Sequence, residues 1–140
     1  MPGDARDPTT IRSLAVAAED VVNAFVYTRE NPGRAVLRAT PPFHGRMRAR
    51  LHVYRVDDSP ETGAVHVEAA SLLDAETVAG YPTLEDIEQR VDGEASAETV
   101  REQRADALEV WADRARESIV ESAAFETTDG SHRASVSTLG

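Results

Sequence analysis

The spacing of the apolar residues changes at Asn31-Pro32-Gly33, and this change constrains the fold more than any other feature of the chain. Before it, apolar side chains recur every three or four residues from Ile11 to Phe25, which predicts a helix over residues 9–30. After it, the spacing becomes two and predicts strands over residues 34–40, 46–56 and 64–72. Helical spacing then returns over residues 84–91 and 96–125. Helices that flank a run of strands predict an α+β fold.

Short connections between consecutive strands favour an antiparallel arrangement. We therefore expect a three-stranded antiparallel β-meander with the long segment 46–56 at its centre, packed on one face by the N-terminal helix and the long C-terminal helix. The predicted organisation is a flexible lead-in over residues 1–8, one domain over residues 9–126, and a disordered tail over residues 127–140. The tail is rich in Ser, Thr and Gly and has few apolar residues to bury.

All fifteen basic residues are arginine; the chain contains no lysine and no cysteine, and twenty-five Asp and Glu give a net charge of −10. This composition is typical of a cytoplasmic protein from an extreme halophile that accumulates salt, in which charge maintains solubility. The lack of cysteine excludes disulfides and thiolate metal sites. No apolar run approaches the ~18 residues of a membrane span, so we expect no membrane association. The acidity also argues against general binding to nucleic acid.

An arginine-rich segment stands out within this acidic chain. Strand alternation places alternate residues of segment 46–56 on one face, and the preceding strand adds two more arginines. We call this set the arginine face; it comprises Arg34, Arg38, Arg46, Arg48, Arg50, His52 and Tyr54. The expected hairpins place Arg38 opposite Arg46 and Arg34 opposite Arg50. They also place His52 opposite Glu68 and Tyr54 opposite His66.

Two interpretations of the arginine face remain open. The arginines pair with carboxylates of the acidic helices, within the chain or across a dimer, or they bind an external anionic partner. Guanidinium groups suit phosphate and carboxylate because they donate two parallel hydrogen bonds. The second interpretation predicts a non-enzymatic binding protein whose partner is an acidic protein surface or a nucleic acid. The edge of strand 64–72 also predicts a symmetric homodimer.

The alternative function is a small enzyme or metal-binding protein that uses His52, His66 and Glu68. Two imidazoles and a carboxylate can ligate zinc or act as a base. Histidines beside a glutamate are also common on surfaces, and no zinc-protease, phosphate-loop, dinucleotide or serine-hydrolase motif accompanies these residues. We therefore expect no cofactor and assign no catalytic residue.

The segment Thr40-Pro41-Pro42-Phe43-His44-Gly45-Arg46-Met47-Arg48-Ala49-Arg50-Leu51-His52 carries a family resemblance. Together with the lysine-free acidic composition and the order of elements, it resembles an uncharacterised family of small acidic haloarchaeal proteins. The resemblance covers most of residues 9–125. It implies no activity and supplies no site residues.

Overall fold

The computed structural model describes residues 5–91, 93 and 95–139. This part of the chain forms seven strands and five α-helices. The strands are β1 (Ser13–Ala17), β2 (Arg34–Ala39), β3 (Arg46–Arg48), β4 (Arg50–Tyr54), β5 (Val65–Glu68), β6 (Ser122–Thr127) and β7 (Gly130–Leu139). The helices are α1 (Ala18–Glu30), α2 (Ser59–Thr62), α3 (Ala75–Ala79), α4 (Leu84–Arg90) and α5 (Ala97–Arg116).

The strands form two sheets. A four-stranded sheet has the order β3-β1-β7-β6, and a three-stranded sheet has the order β4-β2-β5. In the first, β1 runs parallel to both β3 and β7, and β7 runs antiparallel to β6. In the second, β2 runs antiparallel to both neighbours. The predicted α+β class and the three-stranded antiparallel sheet are confirmed, whereas the four-stranded sheet was not predicted.

The central strand of the three-stranded sheet is β2. Its residues Ala35, Val36 and Leu37 are at most 1% exposed. Three consecutive buried residues are typical of a strand that is covered on both faces. The prediction that segment 46–56 is central was wrong, because the regular alternation of that segment indicates a strand with one solvated face, not a central position.

Segment 46–56 does not form one strand either. It divides at Ala49, which is fully buried and whose N–H donates to the Ala15 carbonyl at 3.0 Å. On one side of Ala49, β3 pairs with β1, and on the other side β4 pairs with β2. The chain therefore passes from one sheet to the other at Ala49, where a small side chain lets the backbone lie within the core.

The first helix begins later than predicted. Residues 13–17 form β1, with Leu14 and Val16 fully buried, and α1 begins only at Ala18. The Ala-rich segment favours a helix locally. Pairing with β3 on one side and β7 on the other overrides that preference.

The last helix ends earlier than predicted, and the expected disordered tail is a strand. α5 ends at Arg116, β6 follows, and Gly130 at φ 111° connects β6 to β7. β7 lies between β1 and β6, so backbone hydrogen bonds to two neighbours hold it despite its polar side chains.

Residues 1–4 of the expected lead-in lie outside the described residues. Beyond them, the Ala5 carbonyl accepts from the Phe43 N–H at 2.5 Å.

Helix α1 connects the sheets to the long helix. It lies against β2 and β4 on one side and against α5 on the other. Phe25 of α1 meets Trp111 of α5, with ring centroids 5.1 Å apart, and Tyr81 contacts both rings. The Trp111 indole is 5% exposed and donates to the Thr77 carbonyl at 2.8 Å. The opposite face of the three-stranded sheet carries polar side chains, among them those of Arg38, His52 and His66.

Candidate functional site

The predicted arginine face is divided between the two sheets. Arg46 and Arg48 lie on β3 at an edge of the four-stranded sheet, and Arg50 lies on β4 of the three-stranded sheet. In the observed register Arg38 is opposite Arg50 and Arg34 is opposite Tyr54. The predicted pairing of Arg38 with Arg46 and of Arg34 with Arg50 was wrong. The change of sheet at Ala49 takes β3 away from β2 and shifts the β2–β4 register.

Two of the arginines make contacts within the chain. Arg34 donates to Glu68 at 2.6 Å, and both side chains are about half exposed. The hydrogen bond to Glu68 raises the pKa of Arg34. Arg38 is only 19% exposed, and its guanidinium lies 3.3 Å from the ring nitrogens of His52 and 4.0 Å from the Asp58 carboxylate. These two arginines therefore have acidic neighbours within the chain, although those are Glu68 on β5 and Asp58 in a loop and not carboxylates of the acidic helices.

The other three arginines follow one another at every second residue across the change of sheet, and we call them the arginine strip: Arg46, Arg48 and Arg50. All three are exposed, and none forms an ion pair or side-chain hydrogen bond with the part of the chain that the structure describes. The β1 residues beside the first two are small, because Ser13 lies opposite Arg46 and Ala15 lies opposite Arg48. Arg50 lies opposite Arg38 on β2.

A second polar group lies on the outer face of the three-stranded sheet. His52 on β4 and His66 on β5 lie on either side of β2, and their ring centroids are 5.6 Å apart. Tyr54 stacks against His66 at 5.1 Å. The predicted cross-strand pairs of His52 with Glu68 and of Tyr54 with His66 were wrong, since both His52 and Glu68 are opposite Val36. The imidazoles nevertheless meet diagonally across β2, since His52 is opposite Val36 and His66 is opposite Arg38.

Asp58 completes a group that we call the histidine cluster: His52, Asp58 and His66. One potential ligand atom from each residue lies within 4.8 Å of the other two. Glu68, the carboxylate expected from the sequence, is instead held by Arg34. Asp57 and Asp58 are consecutive acidic residues in the loop between β4 and α2, and the sequence did not identify either as part of a site. Two acidic residues directly after the strand that carries His52 could have indicated a carboxylate near the histidine. The path of the loop, however, decides which of the two lies near His52 and His66.

His66 is the most buried titratable group of the histidine cluster. Its side chain is 9% exposed, and neither ring nitrogen has a hydrogen-bond partner among the described residues. The Asp57 carboxylate lies 3.5 Å from Nδ1, which is too far for a good hydrogen bond. Burial lowers the pKa of His66, although the charge of Asp57 opposes this shift. The buried imidazole therefore favours its neutral form, which is the form that ligates metals.

A cavity of about 340 Å³ opens beside His66. Its polar lining includes Tyr54, Asp57, Ser59 and Ser71. Asp74, farther along the chain, has a structural role, because its carboxylate accepts from the Thr77 N–H at 2.7 Å and caps α3. The two candidate surfaces are thus the arginine strip and the histidine cluster with its cavity.

The fold and these surfaces define an α+β protein with two small sheets and no helix, among the residues described, that is long and apolar enough to cross a membrane. The chain belongs to the family described as a domain of unknown function, DUF8009, which matches residues 1–140. No curated protein and no solved structure matches it. The predicted membership of a family without an assigned activity is therefore confirmed.

Proposed function

We propose that this chain is a non-enzymatic binding protein of an extreme halophile, and that its arginine strip binds an anionic partner. The observation that carries this proposal is the exposure of Arg46, Arg48 and Arg50 without partners among the described residues. The chain has twenty-five acidic residues and a net charge of −10, so carboxylates that could pair with them are plentiful. Three exposed arginines without a partner among the described residues, in such an acidic chain, favour a partner that comes from outside.

The surroundings of the arginine strip suit an extended partner. Ser13 and Ala15 beside it are small, so a phosphate or carboxylate group can reach the guanidinium forks without steric hindrance. Each such contact can be bidentate and charge-assisted. Short contacts matter in a halophile, because the Debye length is only about 3 Å at 1 M salt.

The partner is an acidic protein surface or the phosphate backbone of a nucleic acid. Recognition by base stacking is not supported. Tyr54, the aromatic residue expected beside the arginines, stacks instead against His66 of the histidine cluster. Bidentate contacts to phosphate or carboxylate need no aromatic platform. The proposal therefore concerns anionic groups and not bases.

The proposed homodimer involves a different edge from the one the sequence favoured. The strand within residues 64–72 is β5, which lies against β6. Like β5, β4 pairs with β2 alone among the described strands, but it also exposes Leu51 and Val53 by 38% and 45%. Two antiparallel copies of β4 can pair about a twofold axis.

The lysine-free acidic composition supports a cytoplasmic location in a salt-accumulating cell.

The test is a triple variant, Arg46→Gln with Arg48→Gln and Arg50→Gln. Binding of labelled polyglutamate and of labelled single- and double-stranded DNA and RNA is measured by fluorescence anisotropy in concentrated KCl. We expect the unaltered protein to bind at least one of these probes, and the triple variant to lose at least tenfold in affinity. Folding should be retained, because exposed charges contribute only about 0–1 kcal/mol each.

A matched control removes the same charge elsewhere: Arg90→Gln with Arg101→Gln and Arg114→Gln. These arginines are exposed on α4 and α5. The control should bind like the unaltered protein. Failure of the unaltered protein to bind any probe, or equal losses in both triple variants, would contradict the proposal.

A further inference from the structure

The histidine cluster contains buried polar atoms that nothing in the described chain satisfies. Both ring nitrogens of His66 and the Oδ1 atom of Asp58 are buried and have no hydrogen-bond partner. Such atoms are rare in folded proteins because desolvation without a compensating contact is costly. A neutral imidazole and a carboxylate both offer lone pairs, which a bound cation satisfies together. Arg38 Nε is also buried without a partner, and it is a donor.

We propose that His52, Asp58 and His66 bind a divalent transition metal ion of the zinc class. Two imidazole nitrogens and one carboxylate oxygen form a ligand set that zinc prefers. The potential ligand atoms lie within 4.8 Å of one another. Ligands about 2.0–2.1 Å from a tetrahedral zinc ion lie roughly 3.3 Å apart, so the three side chains must approach by at most about 1.5 Å.

The position of Asp58 permits this approach. Asp58 precedes α2 at its N-cap position, yet its carboxylate makes no capping hydrogen bond. Rotation of this side chain toward the imidazoles therefore breaks no hydrogen bond. Its contact with Arg38 is also long, at 4.0 Å.

Asp57 is the carboxylate placed to orient the His66 ring when a metal binds. Its Oδ1 atom lies 3.5 Å from Nδ1 of His66, so the two must approach to form a good hydrogen bond. A carboxylate that accepts from one imidazole nitrogen fixes the tautomer and directs the other nitrogen at the metal. This assigns Nε2 of His66 to the metal and Nδ1–H to Asp57.

The charges around the site permit a bound cation. Arg38 lies beside His52 and opposes metal binding, whereas the carboxylates of Asp57 and Asp58 favour it. Glu68 contributes little, because Arg34 neutralises it. Three protein ligands leave a fourth coordination position open, as in zinc sites that exchange a water or substrate. Of the three proposed ligands, His66 lines the neighbouring cavity.

The experiment titrates the full chain, without a purification tag and after chelator treatment, with Zn²⁺ and with Co²⁺ in concentrated KCl. Calorimetry measures the stoichiometry and affinity, and the visible spectrum of Co²⁺ reports tetrahedral coordination. We expect one ion per chain and a tetrahedral Co²⁺ spectrum. The variants Asp58→Asn and His52→Gln should each weaken affinity at least tenfold, while Glu68→Gln serves as the matched control and should leave it unchanged.

A second measurement does not depend on variants. Imidazole proton resonances of His52 and His66 in the unaltered chain should shift on addition of Zn²⁺, whereas those of His44 and His132 should not. Circular dichroism of each metal-free variant checks its fold. Lack of stoichiometric binding by the unaltered chain, equal affinities in the Asp58→Asn and Glu68→Gln variants, or shifts confined to His44 or His132 would overturn the proposal. Binding of inorganic phosphate in place of Zn²⁺ would also overturn it and would identify an anion site around Arg38.

Discussion

Replacement of Trp111 by Phe should destabilise the protein by about 2–3 kcal/mol. The indole Nε1–H donates to the buried Thr77 carbonyl at 2.8 Å, and Phe cannot replace this donor. That carbonyl also accepts from the Gly80 N–H at 3.2 Å, so it keeps one partner in the variant. The cost of losing the indole hydrogen bond therefore lies near the lower end of the ~1–3 kcal/mol expected for a buried group left without its partner. The smaller ring also loses contact with Phe25 and Tyr81, at about 0.8 kcal/mol per buried methylene equivalent.

Urea unfolding followed by far-ultraviolet circular dichroism in concentrated KCl measures this change, since Trp111 is the only tryptophan and the variant has no indole fluorescence. The control is Val110→Ala, one residue earlier on α5, where the side chain is 69% exposed. The control should change the free energy of unfolding by no more than about 0.5 kcal/mol. If Trp111→Phe costs no more than the control, the packing of α5 on α1 and the role of the indole hydrogen bond are wrong.

Two further outcomes are expected. The melting temperature measured by circular dichroism should be higher in concentrated KCl than in dilute buffer, because a net charge of −10 repels itself and salts strengthen apolar burial; equal values would contradict the assignment to an extreme halophile. Light scattering in concentrated KCl should give twice the 15.2 kDa chain mass, and Val53→Arg on the exposed β4 edge should return the monomer. A mass of one chain for the unaltered protein would exclude the dimer.

Signals that act within a few residues were readable from the sequence. Thr83 and Asp86 form the capping box that begins α4, and Ser96 caps α5 through the Thr99 N–H. The break at residues 31–33 separates α1 from β2, as its turn-forming composition predicts. These features depend on hydrogen bonds between neighbours in the chain, so local chemistry alone determines them.

Contacts between distant segments decided the rest. β1 and β7 pair at Ser13 and Ser135, and neither segment carries enough apolar alternation to predict that pairing. In the same way, the chain passes from one sheet to the other at Ala49, whose N–H donates to the Ala15 carbonyl of β1. This change of sheet separates Arg46 and Arg48 from Arg50. The histidine cluster arises because β4 and β5 share β2 as their neighbour. The sequence determined which residues carry charge and ligating atoms, whereas the strand order, which depends on the packing of the whole chain, determined which of them meet.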